Sequence, residues 1–208
     1  MAVPDSTSSS SDQDHPLPPN QKARPDLPVR HYGPVPRRKP SPWPIAVGGK
    51  LANRTVTTSV AELTDITMSG LTADLHCASG WSCVDLEWEG VPAATLLEIA
   101  PPPPGVTDVL VYGEYGYSAN VTVEDLRSPQ AMLATSLNGV PLSAEHGAPV
   151  RLVLPHLYCW KGPKWFRGWD YVTPDTLGFW EARGYHRTGN CWLEQRHTLP
   201  GPPKEDLI

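Results

Sequence analysis

Eleven of the 25 prolines in this 208-residue chain fall within the first 44 positions, and that skew divides the chain before any other feature is read. Residues 1–29 add the serine run Ser8–Ser11 and only scattered apolar side chains. Such a segment cannot bury enough surface to offset its ordering entropy, so a disordered Pro/Ser-rich tail is expected there. From Arg30 to Pro44 aromatic and basic residues join the prolines, in His31-Tyr32-Gly33-Pro34-Val35-Pro36 and then Trp43. Each X-Pro step favours extended backbone. The stretch therefore reads as an arm strapped onto a domain, with a loose linker as the alternative. One domain over 30–200 and a flexible C-terminus over 201–208 complete the division.

Within the domain the elements are short. Arg54–Thr58 is β-branched and strand-like, and Ser59 with Glu62 can cap a short helix. Val91–Ala100 is the best helix, with Pro92 near its first turn and Pro101–Pro104 stopping it. Val109–Tyr112, Arg151–Leu154 and Lys164–Tyr171 read as strands, Thr122–Leu126 as a capped helical turn, and Phe179–Gly184 as a short helix ended by glycine. Asn138-Gly139 between two apolar runs is a hairpin signal. Cys77 reads as part of a Gly/Ser-containing loop ahead of a helix. Strands do not alternate with long helices, which argues for a mixed, irregular α+β fold of several short β-sheets and short helices rather than a doubly wound parallel sheet.

A formal charge of −5 argues against a nucleic-acid groove. No run approaches the ~20 apolar residues of a membrane span, and the first residues lack a basic region followed by an apolar one. Arg37-Arg38-Lys39 is followed by Pro40-Ser41-Pro42-Trp43-Pro44 instead of a hydrophobic stretch. A cytoplasmic protein is expected. Four scattered cysteines (Cys77, Cys83, Cys159, Cys191) make no disulfide framework, and without Cys-x-x-Cys a structural zinc site is disfavoured. A Cys77–Cys83 bridge stays open.

Three segments carry chemistry. Cys77 lies in Asp74-Leu75-His76-Cys77-Ala78-Ser79-Gly80-Trp81-Ser82, where small residues let a bound group approach the backbone, and His76, Ser79 and Ser82 can hydrogen-bond a metal-bound sulfur. A thiolate suits soft or high-valent metals. The second segment runs from His146-Gly147-Ala148-Pro149-Val150-Arg151 to Lys161-Gly162-Pro163-Lys164-Trp165. Arg151 opens an apolar strand and needs a partner, for which a phosphate fits the guanidinium fork. Lys161, Gly162 and Lys164 form a turn whose amides and ammonium groups can converge on one anion. The third is Glu114-Tyr115-Gly116-Tyr117-Ser118-Ala119-Asn120, whose hydroxyls suit a polar pocket wall. Templates for serine hydrolases, nucleoside-triphosphate loops, zinc proteases and dinucleotide binders are absent. A thiol nucleophile paired with His31, His146, His156, His186 or His197 stays open.

His76-Cys77-Ala78-Ser79-Gly80-Trp81-Ser82, followed by Trp88-Glu89-Gly90-Val91-Pro92, resembles the molybdenum-binding segment of the sulfite oxidase family. The second segment is similar to that family's molybdopterin-holding run. Tyr32-Gly33-Pro34-Val35-Pro36 and Gly178-Phe179-Trp180-Glu181 extend the likeness to short, soluble bacterial members over about residues 30–197. The resemblance implies the family's mixed molybdopterin-binding fold. It implies molybdenum on one molybdopterin without an appended nucleotide, with Cys77 as its protein ligand. Arg30, His31, Tyr32, His76, Cys77, Ser79, His146, Arg151, Lys161, Gly162 and Lys164 would hold the cofactor, and Tyr117 with Tyr115 would face the oxygen-transfer chemistry. Sulfite oxidases proper place arginines soon after the ligand cysteine, whereas here none occurs before Arg127.

The implied activity is a two-electron oxygen-atom transfer on a small-molecule substrate, sulfite or another small oxyanion or sulfur compound. A separate protein or small carrier would exchange the electrons. Sulfoxide reduction, a non-catalytic molybdopterin carrier and a metal-free thiol enzyme are the alternatives.

Overall fold

A computed structural model describes residues 15–37 and 41–198. Among the described residues eleven strands form two mixed sheets, joined by three helices of seven, seven and five residues. The strands in chain order are β1 (Lys22–Ala23), β2 (Pro44–Gly48), β3 (Val56–Ser59), β4 (Ser69–Cys77), β5 (Trp81–Pro92), β6 (Asp108–Gly113), β7 (Ser118–Thr122), β8 (Met132–Leu137), β9 (Val140–Pro141), β10 (Arg151–Val153) and β11 (Phe166–Val172). The helices are α1 (Val60–Ile66), α2 (Ala93–Ile99) and α3 (Val123–Arg127). One sheet runs β1-β5-β8-β10 with β4 on β5 and β9 on β8, and the other runs β3-β2-β11-β6-β7. The expected irregular α+β architecture is what forms.

Local chemistry sets several of these elements. The Ser59 hydroxyl accepts the Glu62 N–H and starts α1. Thr122 and Asp125 form a reciprocal capping box for α3. Asn138 and Gly139, both at positive φ, turn β8 into β9 as their pair predicts. Helix α2 begins two residues later than expected, because Val91-Pro92 still belongs to β5.

Two expectations are corrected. Cys77 is not in a loop ahead of a helix. It is the last residue of β4, in a long hairpin whose turn Ala78-Ser79-Gly80 is closed by the Gly80 N–H on the Cys77 carbonyl at 2.9 Å. The alternation of buried Leu86 and Trp88 with exposed Asp85, Glu87 and Glu89 is the period-2 signature of β5. Nor does the tail run disordered to residue 29. Lys22–Ala23 adds in parallel to Trp81–Ser82, the Lys22 N–H reaches the Gly80 carbonyl at 3.0 Å, and the Arg24 N–H reaches the Ser82 carbonyl at 2.8 Å. A segment poor in apolar surface orders here by completing a sheet edge. The expected flexible residues 1–14 and 201–208 lie outside the described residues.

The larger core sits between α2, α3 and the β2–β11–β6 surface, around Ile45, Leu96, Leu126, Phe166 and Trp169. A second core under β4–β5–β8 holds Leu75, Cys83, Trp88 and Met132. Gly168 lets β11 press onto β2, since a Cβ there would lie 1.7 Å from the Ala46 carbonyl oxygen. Among the described residues no helix is long and apolar enough to cross a membrane.

Candidate active site: a basic, aromatic cavity around Cys77

A cavity of about 330 Å³ opens where the β4–β5 turn, the arm after β1, β10 and the stretch 159–165 converge. Strand alternation turns Leu75 and Cys77 into it. His76 points away, with its Nδ1 2.8 Å from the Ser82 hydroxyl, and is 2% exposed. The Ser79 hydroxyl donates to Cys77 Sγ at 3.2 Å. The Cys77 thiol is brought down to about 6. Hydrogen bonding from the Cys159 thiol contributes most; burial opposes it, and the Ser79 hydroxyl and N–H and the Arg30 charge assist. Cys77 is thus held as a thiolate near neutral pH. No histidine hydrogen-bonds this sulfur among the described residues, which removes support for a Cys/His nucleophile pair. All four cysteines are free thiols, so the Cys77–Cys83 bridge does not form; the Cys83 thiol donates to the Asp26 carbonyl at 3.0 Å.

Arg30, Arg151 and Lys164 line the cavity together with His31, and among the described residues no carboxylate does. Arg151 is 3% exposed, yet its guanidinium makes one hydrogen bond, Nη1 to the His146 carbonyl at 3.3 Å, and Nε has no partner. Burial lowers its pKa to about 10. Lys164 donates to the Glu145 carbonyl at 2.6 Å, and burial, helped by the Arg151 charge, lowers it to about 7. Buried cations without counter-charges are costly unless an anion joins them. The remaining wall is aromatic: four of the eight tryptophans (Trp81, Trp160, Trp165, Trp180) face the cavity, with Tyr117 and Tyr185. The indole N–H groups of Trp81 and Trp160 are buried and unpaired. The Tyr117 hydroxyl donates to the Trp160 carbonyl at 2.6 Å, and burial keeps it protonated well above the usual phenol range.

The sequence-predicted residues therefore separate. Cys77, Ser79, Arg30, His31, Tyr32, Tyr117, Arg151, Gly162 and Lys164 line one cavity. Lys161 does not: it is fully buried and donates to Glu181 at 2.5 Å, to the Asn120 carbonyl at 2.7 Å and to the Arg187 carbonyl. Its three protons are used inside the protein, which corrects its reading as an anion ligand. His76 is likewise turned away. Tyr115 is 47% exposed and packs on Gly33 and edge-on to Trp165 outside the cavity, which corrects its catalytic reading. His146 is not on the wall either; it supplies the carbonyl that holds Arg151, and burial with the Lys164 and Arg151 charges lowers its own pKa.

Sequence reasoning missed Cys159, the indoles, Tyr185, and Leu27 and Pro28 of the strap. Cys159 stands two residues before the basic turn already singled out. Leu27 and Pro28 lay in the segment read as disordered.

The profile of the oxidoreductase molybdopterin binding domain matches residues 32–180. This chain belongs to that family. It is a molybdopterin-dependent oxidoreductase, and its cofactor is molybdopterin with molybdenum. The cavity fits that group: a soft thiolate, unpartnered buried cationic and indole donors, and, among the described residues, no acidic wall residue. Among relatives, the chain is 37% identical to "Uncharacterized oxidoreductase YuiH" of Bacillus subtilis over 189 residues, covering 90% of this chain and 95% of YuiH. It is 28% identical over 170 residues to the protein-methionine-sulfoxide reductase catalytic subunit MsrP of Gluconobacter oxydans, covering 68% of this chain and 54% of MsrP. The sulfane dehydrogenase SoxCD of Paracoccus pantotrophus shares the fold, with a TM-score of 0.62 at 22% identity over 72% of this chain and 42% of that one. The chain thus spans about half of the MsrP relative.

Proposed function

We propose that this family member carries out two-electron oxygen-atom transfer on a small sulfur compound, with Cys77 as the protein ligand of the metal. The observation that carries the reading is one cavity holding the Cys77 thiolate, three cations and, among the described residues, no carboxylate. When bound, the cofactor supplies the oxygen-transfer and redox chemistry. The chain's own residues do the rest. Arg151, Lys164 and Arg30 bind the phosphate-bearing group through charge-assisted hydrogen bonds, each worth about 1.5–3 kcal/mol. Ser79 and Cys159 hold charge on the Cys77 sulfur. The indole and phenol rings exclude water. The Tyr117 hydroxyl, kept neutral by burial, donates to the Trp160 carbonyl and so fixes the phenol ring in the cavity wall. Electrons pass to or from a separate protein or small carrier. A reducing, cytoplasmic setting belongs to this reading, supported by the four free thiols.

Sulfoxide reduction is the second reading, favoured by the aromatic wall, against which a thioether product packs well, and by the likeness to MsrP. Sulfite is the alternative substrate. It gains a cation near Cys77 from Arg30, which reaches the site from the strap instead of from the residues after the cysteine.

The test is elemental and pterin analysis of protein made in cells that synthesise the cofactor. Wild type is expected to carry stoichiometric molybdenum and pterin, and Cys77→Ser to keep pterin while losing the metal's normal spectroscopic signature. Wild-type protein devoid of both would overturn the reading. Turnover of a sulfoxide with a reduced dye against sulfite with an oxidised one separates the two substrates.

A further inference from the structure

Tyr158 and His76 form an isolated parallel bridge between the end of β4 and the segment entering the 3-10 turn Cys159–Lys161. In parallel pairing, the residues one step beyond a bridged pair again lie side by side and point to the same face. Those residues are Cys77 and Cys159. Tyr158 is extended (φ −60°, ψ 145°), so the chain has not yet curled away at Cys159. The strand spacing of about 4.8 Å falls within the roughly 4.4–6.8 Å Cα separation that a disulfide spans. Both side chains line the same cavity. The other two cysteines are engaged elsewhere: Cys83 on the Asp26 carbonyl, and Cys191, fully buried, on the His156 carbonyl at 3.3 Å. Of the four thiols, only these two share a wall that a small oxidant can reach.

We propose that Cys77 and Cys159 form a reversible disulfide in the cofactor-free protein, and that this bond governs whether the metal can be taken up. With a peroxide as oxidant, the Cys77 thiolate attacks one peroxide oxygen. The O–O bond breaks, water leaves after protonation, and Cys77 becomes a sulfenic acid. Cys159 then attacks that sulfur, the S–S bond forms and a second water leaves. The two thiols have lost two electrons to the peroxide. A dithiol reductant reverses the bond by two exchanges. While the bond exists, Cys77 has no thiolate to offer, so metal uptake is blocked; this second half rests on Cys77 being the metal ligand. Cys159 also protects its neighbour, because a resolving thiol captures the sulfenic acid before it is oxidised irreversibly.

The experiment uses full-length protein from cells unable to make the cofactor. It is treated with hydrogen peroxide, alkylated, and mapped by non-reducing peptide mass analysis. The expected product is a peptide joining Cys77 to Cys159, lighter by two hydrogens, that returns to two alkylatable thiols on reduction. In Cys159→Ser the same treatment should drive Cys77 to sulfinic acid. Recovery of sulfinic Cys77 with a free Cys159 in the wild type would overturn the pairing, as would cross-links to Cys83 or Cys191. The second arm offers cofactor to the oxidised, re-reduced and Cys77→Ser proteins and measures bound molybdenum and pterin. Cross-linked protein should take up little metal, and reduction should restore it. Full uptake by cross-linked protein would overturn the gate. Uptake by Cys77→Ser of metal with its normal spectroscopic signature would place the fault in the ligand assignment itself.

Discussion

Replacing Lys161 by methionine separates a structural cation from a cofactor ligand. The Lys161 ammonium and the Glu181 carboxylate are 0% and 1% exposed, so the substitution leaves a buried carboxylate whose Oε2 already lacks a partner. Removing one member of such a pair costs about 3–5 kcal/mol, a large fraction of the roughly 5–15 kcal/mol that holds a domain together. It also strips the Asn120 and Arg187 carbonyls of their donor. At about 2–4 °C per kcal/mol for a domain of this size, the melting temperature of the cofactor-free protein should fall by roughly 6–20 °C. The double variant Lys161→Met, Glu181→Leu removes the stranded charge and should recover part of the loss. It will not recover all, because the Asn120 N–H loses Glu181 as its acceptor. Thermal and urea unfolding read the effect, and pterin content per folded chain is measured alongside. A Lys161→Met protein with unchanged melting and sharply reduced pterin would refute the structural assignment and return Lys161 to the anion site.

Three further outcomes are expected. Arg151→Leu should leave the melting temperature of cofactor-free protein unchanged or raised, since it removes a buried cation with unpaired donors, while pterin content falls several-fold; a destabilised variant that keeps its pterin would contradict this. Lys164, at about 7 in the fold and ~10.4 when unfolded, binds fewer protons in the folded chain between those values, so its contribution to stability rises with pH across that window. Anion binding runs the other way: the thermal upshift given by sulfate should shrink as pH rises through about 7, and a profile unchanged by Lys164→Gln would refute the assignment. Gly168→Ala should cost upward of about 3 kcal/mol, because its Cβ would lie 1.7 Å from the Ala46 carbonyl oxygen, whereas Gly139→Ala, with open space around it, should cost about 1 kcal/mol; equal soluble yields and melting would sink the contrast.

What the sequence disclosed depended on range. The Asn138-Gly139 turn, the Thr122 cap and the end of the helix at Gly184 need only neighbouring residues, and each forms where its residues predict. The approach of Cys77 to Arg151 and Lys164 was legible only through the order and spacing of motifs. Lys161 and Lys164 are the same residue type three positions apart. One is claimed by Glu181, twenty residues on, and the other faces the cavity, a choice made by tertiary partners. Residues 22–23 were illegible for a related reason, since their ordering comes from the free edge of β5 and not from their own composition.

The cavity wall is drawn from positions as far apart as Leu27 and Tyr185. No fragment of the chain, and no partly folded state that has yet to lay down the strap, presents the whole anion and sulfur constellation. Cofactor affinity therefore belongs to the native state alone, and occupancy adds its full RT ln(1 + [L]/Kd) to the stability of the entire domain. Cells short of cofactor should feel this as a shortage of the protein itself, because the empty chain lacks that added stability and opens to proteases more often.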